Sequence, residues 1–367
     1  TFRYFWDLAN RKNGLVPDRW PTPSFASIAA VGFALTAYPI GVKRGWITRR
    51  QARDLTLTTL RFFATAPQGD APTGMTGHKG FFYHFLDMET GQRYRDTELS
   101  SVDTTLLFLG ILFAGAWYDQ ADPVEAEIRR LAETITDRAD WPWFTNARGT
   151  VSMGWHPGKG FIERAWDGYN EGMMVYVVGL GSRGRSLADG AWDAWAQTYP
   201  AFWRGQGDTR HLAFAPLFGH QYSQMWIDFR GIRDATMRQA GFDYFENSRR
   251  ATYANLSGVW SVNDVNQTVT APNASLRPET SQNYAARLAY YFEPVGQLGV
   301  TAFQNRVADL HAEPFRRAGG LRGKLQMIRA AVERGQFAAA DVGVGRHHAR
   351  QHLAADRDRS EERRVGK

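Results

Sequence analysis

The sequence predicts an all-α fold for residues 21–254. Apolar residues recur there at helical spacing, recognisable caps precede several apolar runs, and only one pair of short strand-like runs interrupts them. Taken in order, Ser24 is placed to cap a helix whose Phe25, Ile28, Ala29, Gly32 and Leu35 share a face. Thr48 and Gln51 form a capping-box pattern ahead of Leu55, Leu57, Leu60, Phe62 and Phe63. Ser100 or Ser101 opens a very apolar helix through Leu106, Leu107, Leu109, Ile111 and Leu112. Asp122, Pro123 and Glu125 supply an N-cap, a first-turn proline and an acid at the third position, so a helix runs to about Arg138. Further helices are expected near 169–180 and 189–198 and between 221 and 240. Residues 81–86 and 92–95, flanking Glu89-Thr90-Gly91, read as a hairpin. Helices with polar residues concentrated in the loops fit a helical barrel or toroid, and a plain bundle as well.

Twelve of the thirteen tryptophans lie before residue 255, among scattered Asp, Glu, His and Asn, a composition suited to an enclosed, sugar-sized site. The formal net charge is +7, but 13 Lys and Arg against 8 Asp and Glu in 307–367 account for five of those charges. The body therefore carries no broad phosphate-binding field, and neither nucleic acid nor, for 1–254, a membrane is expected as a partner. The absence of cysteine excludes disulfides, thiolate metal sites and thiol nucleophiles. His78, His84, His156, His211 and His220 are spread without a His-Glu-x-x-His pattern, so neither a metal nor a cofactor is expected. Residues 179–185 lack the Gly-Lys-Ser/Thr ending of a phosphate loop and read as a helix C-terminal turn. Thr1 is not an initiator methionine and no signal peptide opens the chain, so the sequence reads as a fragment or a processed form.

Eight ordered blocks carry a resemblance: DLANRKNGLVPDRWP (7–21), SFASIAAVGFALTAYPIG (24–41), GFFYHFLDMETG (80–91), ELSSVDTTLL (98–107), SMGWHP (152–157), GYNEGMMVY (168–176), FAPLFGHQYSQMWIDFRGI (214–232) and YFENSRRATYA (244–254). They resemble the glycoamylase-like domain family, which includes bacterial endo-β-1,2-glucanases and is similar to the glycoamylase-like part of cyclic β-1,2-glucan synthases. The resemblance implies an (α/α)6 barrel whose cavity binds a β-glucan, and endo-acting hydrolysis of β-1,2-glucan by carboxylate acid/base catalysis. For the intact parent it implies a periplasmic or secreted location. Two other readings stand beside it: transglycosylation, as in the cyclic glucan synthases, and a non-catalytic glucan-binding module.

After Ala254 the texture changes and the family's further helices do not follow. Residues 271–307 instead resemble a C-terminal hairpin of a TonB-dependent outer-membrane receptor, with Tyr284, Ala286, Leu288, Tyr290 and Phe292 on one face and 293–296 as the turn. The arginine- and alanine-rich run 308–367 resembles neither family. The expected organisation is a truncated catalytic domain (1–254), a receptor-like hairpin fragment (255–307) and a disordered or artefactual basic tail (308–367). The barrel is then incomplete, and catalysis is expected to be weak or absent because a second carboxylate is lost with the missing segment.

Glycosidic cleavage needs a carboxylic acid to protonate the leaving oxygen and a carboxylate to activate water or attack carbon. Glu171, the one charge in a stretch continuing Met173-Met174-Val175-Tyr176-Val177, is a candidate acid or a helix cap, and the resemblance favours a substrate-facing acid. Asp103 and Glu98, which bracket a helix start, are the other catalytic candidates, and at least one of them is expected to face the cavity with Glu171; the helix dipole favours a carboxylate there, so a stabilising role is expected for at least one of them. Asp96 reads as a loop salt-bridge partner of its neighbours. His220, Gln221 and Tyr222 are candidate sugar contacts, whereas Asp228 and Arg230 read as a structural pair. Asp18, Arg19 and Trp155 are candidates for the cavity rim. Trp166, Tyr169 and Asn170, close to Glu171, complete the candidate sugar-binding set.

Overall fold

The computed structural model describes residues 1–214 and 216–257, together with the backbones of four strands: Ser261–Asn263, Thr268–Thr270, Gln282–Tyr291 and Gln297–Arg306. Phe2–Ala251 belong to one compact unit. Its helices are α1 (Phe2–Asp7), α2 (Ile28–Lys43), α3 (Arg49–Thr65), α4 (Ser101–Trp117), α5 (Pro123–Asp137), α6 (Trp141–Phe144), α7 (Met173–Leu180), α8 (Ala191–Ala196), α9 (Phe218–Trp226), α10 (Ala235–Ala240) and α11 (Tyr244–Ser257), which runs past the unit's edge. Two-residue and three-residue strands splice them: β1 (Ala26–Ser27), β2 (Gly77–His78), β3 (Phe81–Phe82), β4 (Phe85–Leu86), β5 (Leu99–Ser100), β6 (Gly154–His156), β7 (Gly160–Phe161), β8 (Trp203–Arg204) and β9 (His211–Leu212).

The caps explain where the long helices start. Thr48 and Gln51 close the expected capping box on α3, Ser100 accepts from the Asp103 N–H at the start of α4, and Asp122 accepts from the Val124 N–H with Pro123 at the first position of α5. α2 begins later than Ser24 suggested. Ala26 and Ser27 are held extended by pairing with β4, so Ser27 becomes the cap and accepts from the Ala30 N–H. α4 is the apolar centre and packs on α2, α5 and α7. α2 and α4 approach through glycines: a Cβ on Gly110 would stand 2.2 Å from the Gly32 carbonyl oxygen, and one on Gly32 2.2 Å from that of Leu106.

Two sequence expectations are corrected here. Residues 81–86 and 92–95 do not form a ladder, because β4 pairs with β1 and β3 turns back on β2. The 86–93 region keeps one bridge, Leu86 to Arg93, around a tight turn in which the Asp87 carboxylate accepts from the Glu89 and Thr90 N–H groups. The helix expected from 169 starts at Met173. Asn170 takes the preceding turn instead, its Oδ1 accepting from the Gly172 N–H at 2.9 Å and its Nδ2 donating to the Asp167 carbonyl at 3.0 Å.

The four strands after residue 260 make an antiparallel sheet in chain order. The two long ones pair from Gln282 with Arg306 to Tyr291 with Gln297, and where the sequence suggested a lone hairpin, Thr268–Thr270 and Ser261–Asn263 add two further strands. Phe292, the turn at 293–296 and the tail 308–367 lie outside the described residues. Among the described residues no helix is long and apolar enough to cross a membrane.

Candidate active site

Three acids gather at the starts of two helices, Glu98 and Asp103 at α4 and Glu171 at α7, with His84 bonded to the start of α2. The His84 N–H donates to the Glu98 carbonyl at 3.0 Å, and the His84 carbonyl accepts from the Ile28 N–H at 3.3 Å. His84 is thus fixed between the extended segment bearing Glu98 and the first residue of α2. β5 follows Glu98 directly and runs into α4, which puts Asp103 in the first turn of that helix. α4 packs on α7, and Glu171 sits in the turn just ahead of α7.

Around these backbones the side chains converge. His84 Nδ1 lies 2.8 Å from Glu98 Oε1, and Nε2 lies 3.4 Å from Asp103 Oδ1. The Ser100 hydroxyl donates to Asp103 Oδ2 at 2.5 Å. Burial pulls the His84 pKa down, but the charge of Asp103 and the bond and charge of Glu98 outweigh it, and the net shift is upward. The two acids move in opposite directions. Burial raises both, yet for Glu98, with 29% of its side chain exposed, the His84 interaction wins and the pKa falls; for Asp103, with 12%, burial wins and it rises.

Glu171 is displaced upward as Asp103 is. Burial, with the charge of Asp103 adding to it, pushes its carboxyl up to about 7, and its Oε2 has no hydrogen-bond partner in the protein. α9 approaches the same oxygen: a Cβ on Gly219 would lie 3.1 Å from it. The next residue, His220, is buried, stacks on Tyr169 with ring centroids 4.9 Å apart, and has neither ring nitrogen hydrogen-bonded within the protein. Burial drives its pKa down to about 3, so it is a neutral imidazole near neutral pH.

The remaining candidates separate into rim and core. Asp18 pairs with exposed Arg19 at 2.9 Å, and the charge of Asp18 reaches His84, which sets this loop beside the triad. Trp155 is half-buried and stacks on His78 at 5.0 Å. Tyr222, half-buried, packs between Phe33 and Phe218, and Gln221 is exposed. Trp166 and Tyr169 are core residues rather than open stacking faces: the Trp166 indole donates to the Ser101 hydroxyl at 2.9 Å, and the Tyr169 ring lies under His220 with its hydroxyl on Ser248. Asn170 is buried and serves the turn described above. Asp228 and Arg230 pair at 3.5 Å, and exposed Asp96 pairs with Arg93 and Lys159. His84 is the residue that sequence reasoning passed over. Its place in an aromatic strand was visible, but its partners are contributed by a segment 14 residues away and by a helix turn beyond it.

The ligand atoms of His84, Glu98 and Asp103 lie within 4.8 Å of one another, close enough to surround a cation. Both ring nitrogens are directed at carboxyl oxygens, however, and coordination needs an unprotonated nitrogen aimed at the ion, so the donor set is spent internally.

A helical scaffold that keeps a proton on one buried carboxyl, with further acids and a neutral histidine nearby, has the makings of an acid/base glycosidase site. Residues 163–257 match the family Glycoamylase, described as "Putative glucoamylase". An exo-β-1,2-glucooligosaccharide sophorohydrolase (non-reducing end) of Parabacteroides distasonis is 24% identical, over 70% of this chain and 38% of its own length. A crystal structure from Bacteroides uniformis under the same glucoamylase description is 26% identical with a TM-score of 0.61, covering 70% of this chain and 62% of that one. The endo-β-1,2-glucanase of Chitinophaga pinensis, solved with sophorotriose and glucose, has a TM-score of 0.59 at 20% identity, over 69% of this chain and 63% of that one. The chain therefore spans less than two-fifths of that curated relative and less than two-thirds of either structure. The resemblance to glycoamylase-like proteins read from the sequence holds, and the helical unit has the α/α toroid fold of these neighbours.

Proposed function

We propose that the helical unit hydrolyses β-1,2-glucan at internal linkages, with Glu171 protonating the leaving glycosidic oxygen and Asp103 taking the proton of the attacking water. The observation that carries this reading is the environment of Glu171. A carboxyl held up to about 7 keeps its proton up to about neutral pH, and its buried Oε2 is engaged by no other protein group. The negative charge of Asp103 strengthens that retention and supplies the complementary carboxylate. The substrate class is supported by the sophorohydrolase and endo-β-1,2-glucanase relatives. A polymeric glucan substrate accords with a periplasmic or secreted location.

The test is reducing-end release from linear β-1,2-glucan by the full 367-residue chain. Slow release of oligosaccharides of several lengths is expected, falling as pH rises through about 7 while Glu171 loses its proton. Glu171→Gln should reduce it by about 100-fold or more. Unchanged turnover by that variant would overturn the assignment of the acid, and sophorose as the sole product would overturn the endo mode.

A further inference from the structure

Both ring nitrogens of His84 face carboxyl oxygens, 2.8 Å away on Glu98 and 3.4 Å away on Asp103. A neutral imidazole owns one N–H and can satisfy one carboxylate only; at the other contact lone pair would meet lone pair. An imidazolium donates to both. A proton on Asp103 shared with a neutral ring would also bridge the second contact. The Ser100 hydroxyl bond to the other Asp103 oxygen fits either form, but Asp18 places a third negative group within reach of the ring, which favours the cation. The ring has little freedom to turn away. Its backbone is bonded to the Glu98 segment on one side and to Ile28 on the other, and its face lies on Phe85 with centroids 3.8 Å apart.

We propose that His84 is a positioning residue for hydrolysis: its imidazolium fixes the orientation of the Glu98 and Asp103 carboxylates and keeps Asp103 charged beside the proton-bearing Glu171. This rests on the assignment of Glu171 and Asp103 above. The charged groups acting on the ring are Glu98 from the segment ahead of β5, Asp103 from α4 and Asp18 from the loop ahead of β1, while Glu171 acts through Asp103 and His156 through Glu98. The upward shift of His84 agrees with that arrangement. The His84 charge opposes the rise that burial imposes on the Asp103 pKa, so without the cation that pKa would rise further. The water-activating carboxylate, and the field that helps Glu171 keep its own proton, would weaken with it.

The experiment uses the full chain labelled with 15N-histidine, following the ring nitrogens of its nine histidines with pH. His84 is identified by the resonance lost in His84→Gln, or, should that variant not fold, in His84→Asn. Both of its nitrogens should remain protonated above about 6.5, the ordinary histidine midpoint. Glu98→Gln should lower that midpoint. An unprotonated Nε2 at pH 6, a midpoint indifferent to Glu98→Gln, or a shift on adding Zn2+ that EDTA reverses would overturn the proposal. On linear β-1,2-glucan, His84→Gln should lower kcat by about tenfold or more with KM little changed, the scale of outer-shell orienting groups, and move the alkaline limb of the profile to lower pH. An unaltered limb with an unaltered kcat would overturn it as well. If the wild-type chain releases no reducing ends, the hydrolytic reading fails, whereas the nitrogen shifts still decide whether His84 is the cation between the two acids.

Discussion

Helices α2 to α5 and helices α7 to α9 are built differently. The first four run for 16, 17, 17 and 15 residues, and each starts on a side-chain cap. α3 and α5 are tied further by Arg49 and the buried Glu125, with Nε 2.7 Å from Oε1. The later three run for 8, 6 and 9 residues, and none has a side-chain cap. Next to them lie buried polar atoms without partners in the protein: Glu171 Oε2 and both His220 nitrogens. An unsatisfied buried polar atom costs roughly 1–3 kcal/mol, and the first region carries such atoms too, Trp117 Nε1 on α4 and Arg138 Nε just after α5, so the contrast between the regions lies in helix length and capping. The candidate site lies where the two meet. Asp103 comes from the rigid set and Glu171 from the lightly capped one, which lets a stiff frame hold a carboxylate against an acid kept uncomfortable enough to retain its proton.

The comparison can be broken at its stiffest point first. Gly110→Ala would force a methyl group against the Gly32 carbonyl from 2.2 Å, so α2 and α4 must separate. A loss of about 3 kcal/mol, the upper part of the range for overpacked cores, is expected in the urea midpoint. A loss below about 1 kcal/mol would mean that this helix pair is not rigid.

The second region should respond in the opposite sense. The folded-state pKa of Glu171, about 7, exceeds its ordinary value of 4.5, so the folded state binds the extra proton between those values. Stability is therefore full below about 4.5, declines as pH rises towards 7 and stays lower above it. Glu171→Gln avoids that decline and should be more stable than the wild type by on the order of 2–3 kcal/mol at pH 8, with little difference at pH 4. Equal unfolding midpoints at both pH values would place Glu171 in water. The smallest effect concerns the missing caps. Gly190, at the start of α8, has φ of −77° and open space around its Cβ position. Gly190→Ala should stabilise by about 0.4–1 kcal/mol through the unfolded chain, and a destabilisation would show that this helix start is already constrained.

Much of the scaffold was legible because it is local. Thr48 with Gln51 and Asp122 with Pro123 act within one turn, and the apolar periodicity of α4 reports its burial directly. Glu171, Asp103 and Glu98 could be named as candidates from residue type and neighbours alone. Other boundaries were hidden because tertiary pairing decides them. Ser24 has the chemistry of a cap, but β1 pairing with β4 hands that role to Ser27, and the Asn170 turn delays α7 until Met173. The roles of Trp166 and Tyr169 likewise depended on which surfaces the rings met, and both met the core. By itself the sequence determined which helices form and which acids are available, since propensity, capping and periodicity act over a few residues. Only the tertiary structure decided that His84 stands between Glu98 and Asp103 and that Glu171 holds its proton, because charge state depends on burial and on neighbours brought in from distant segments.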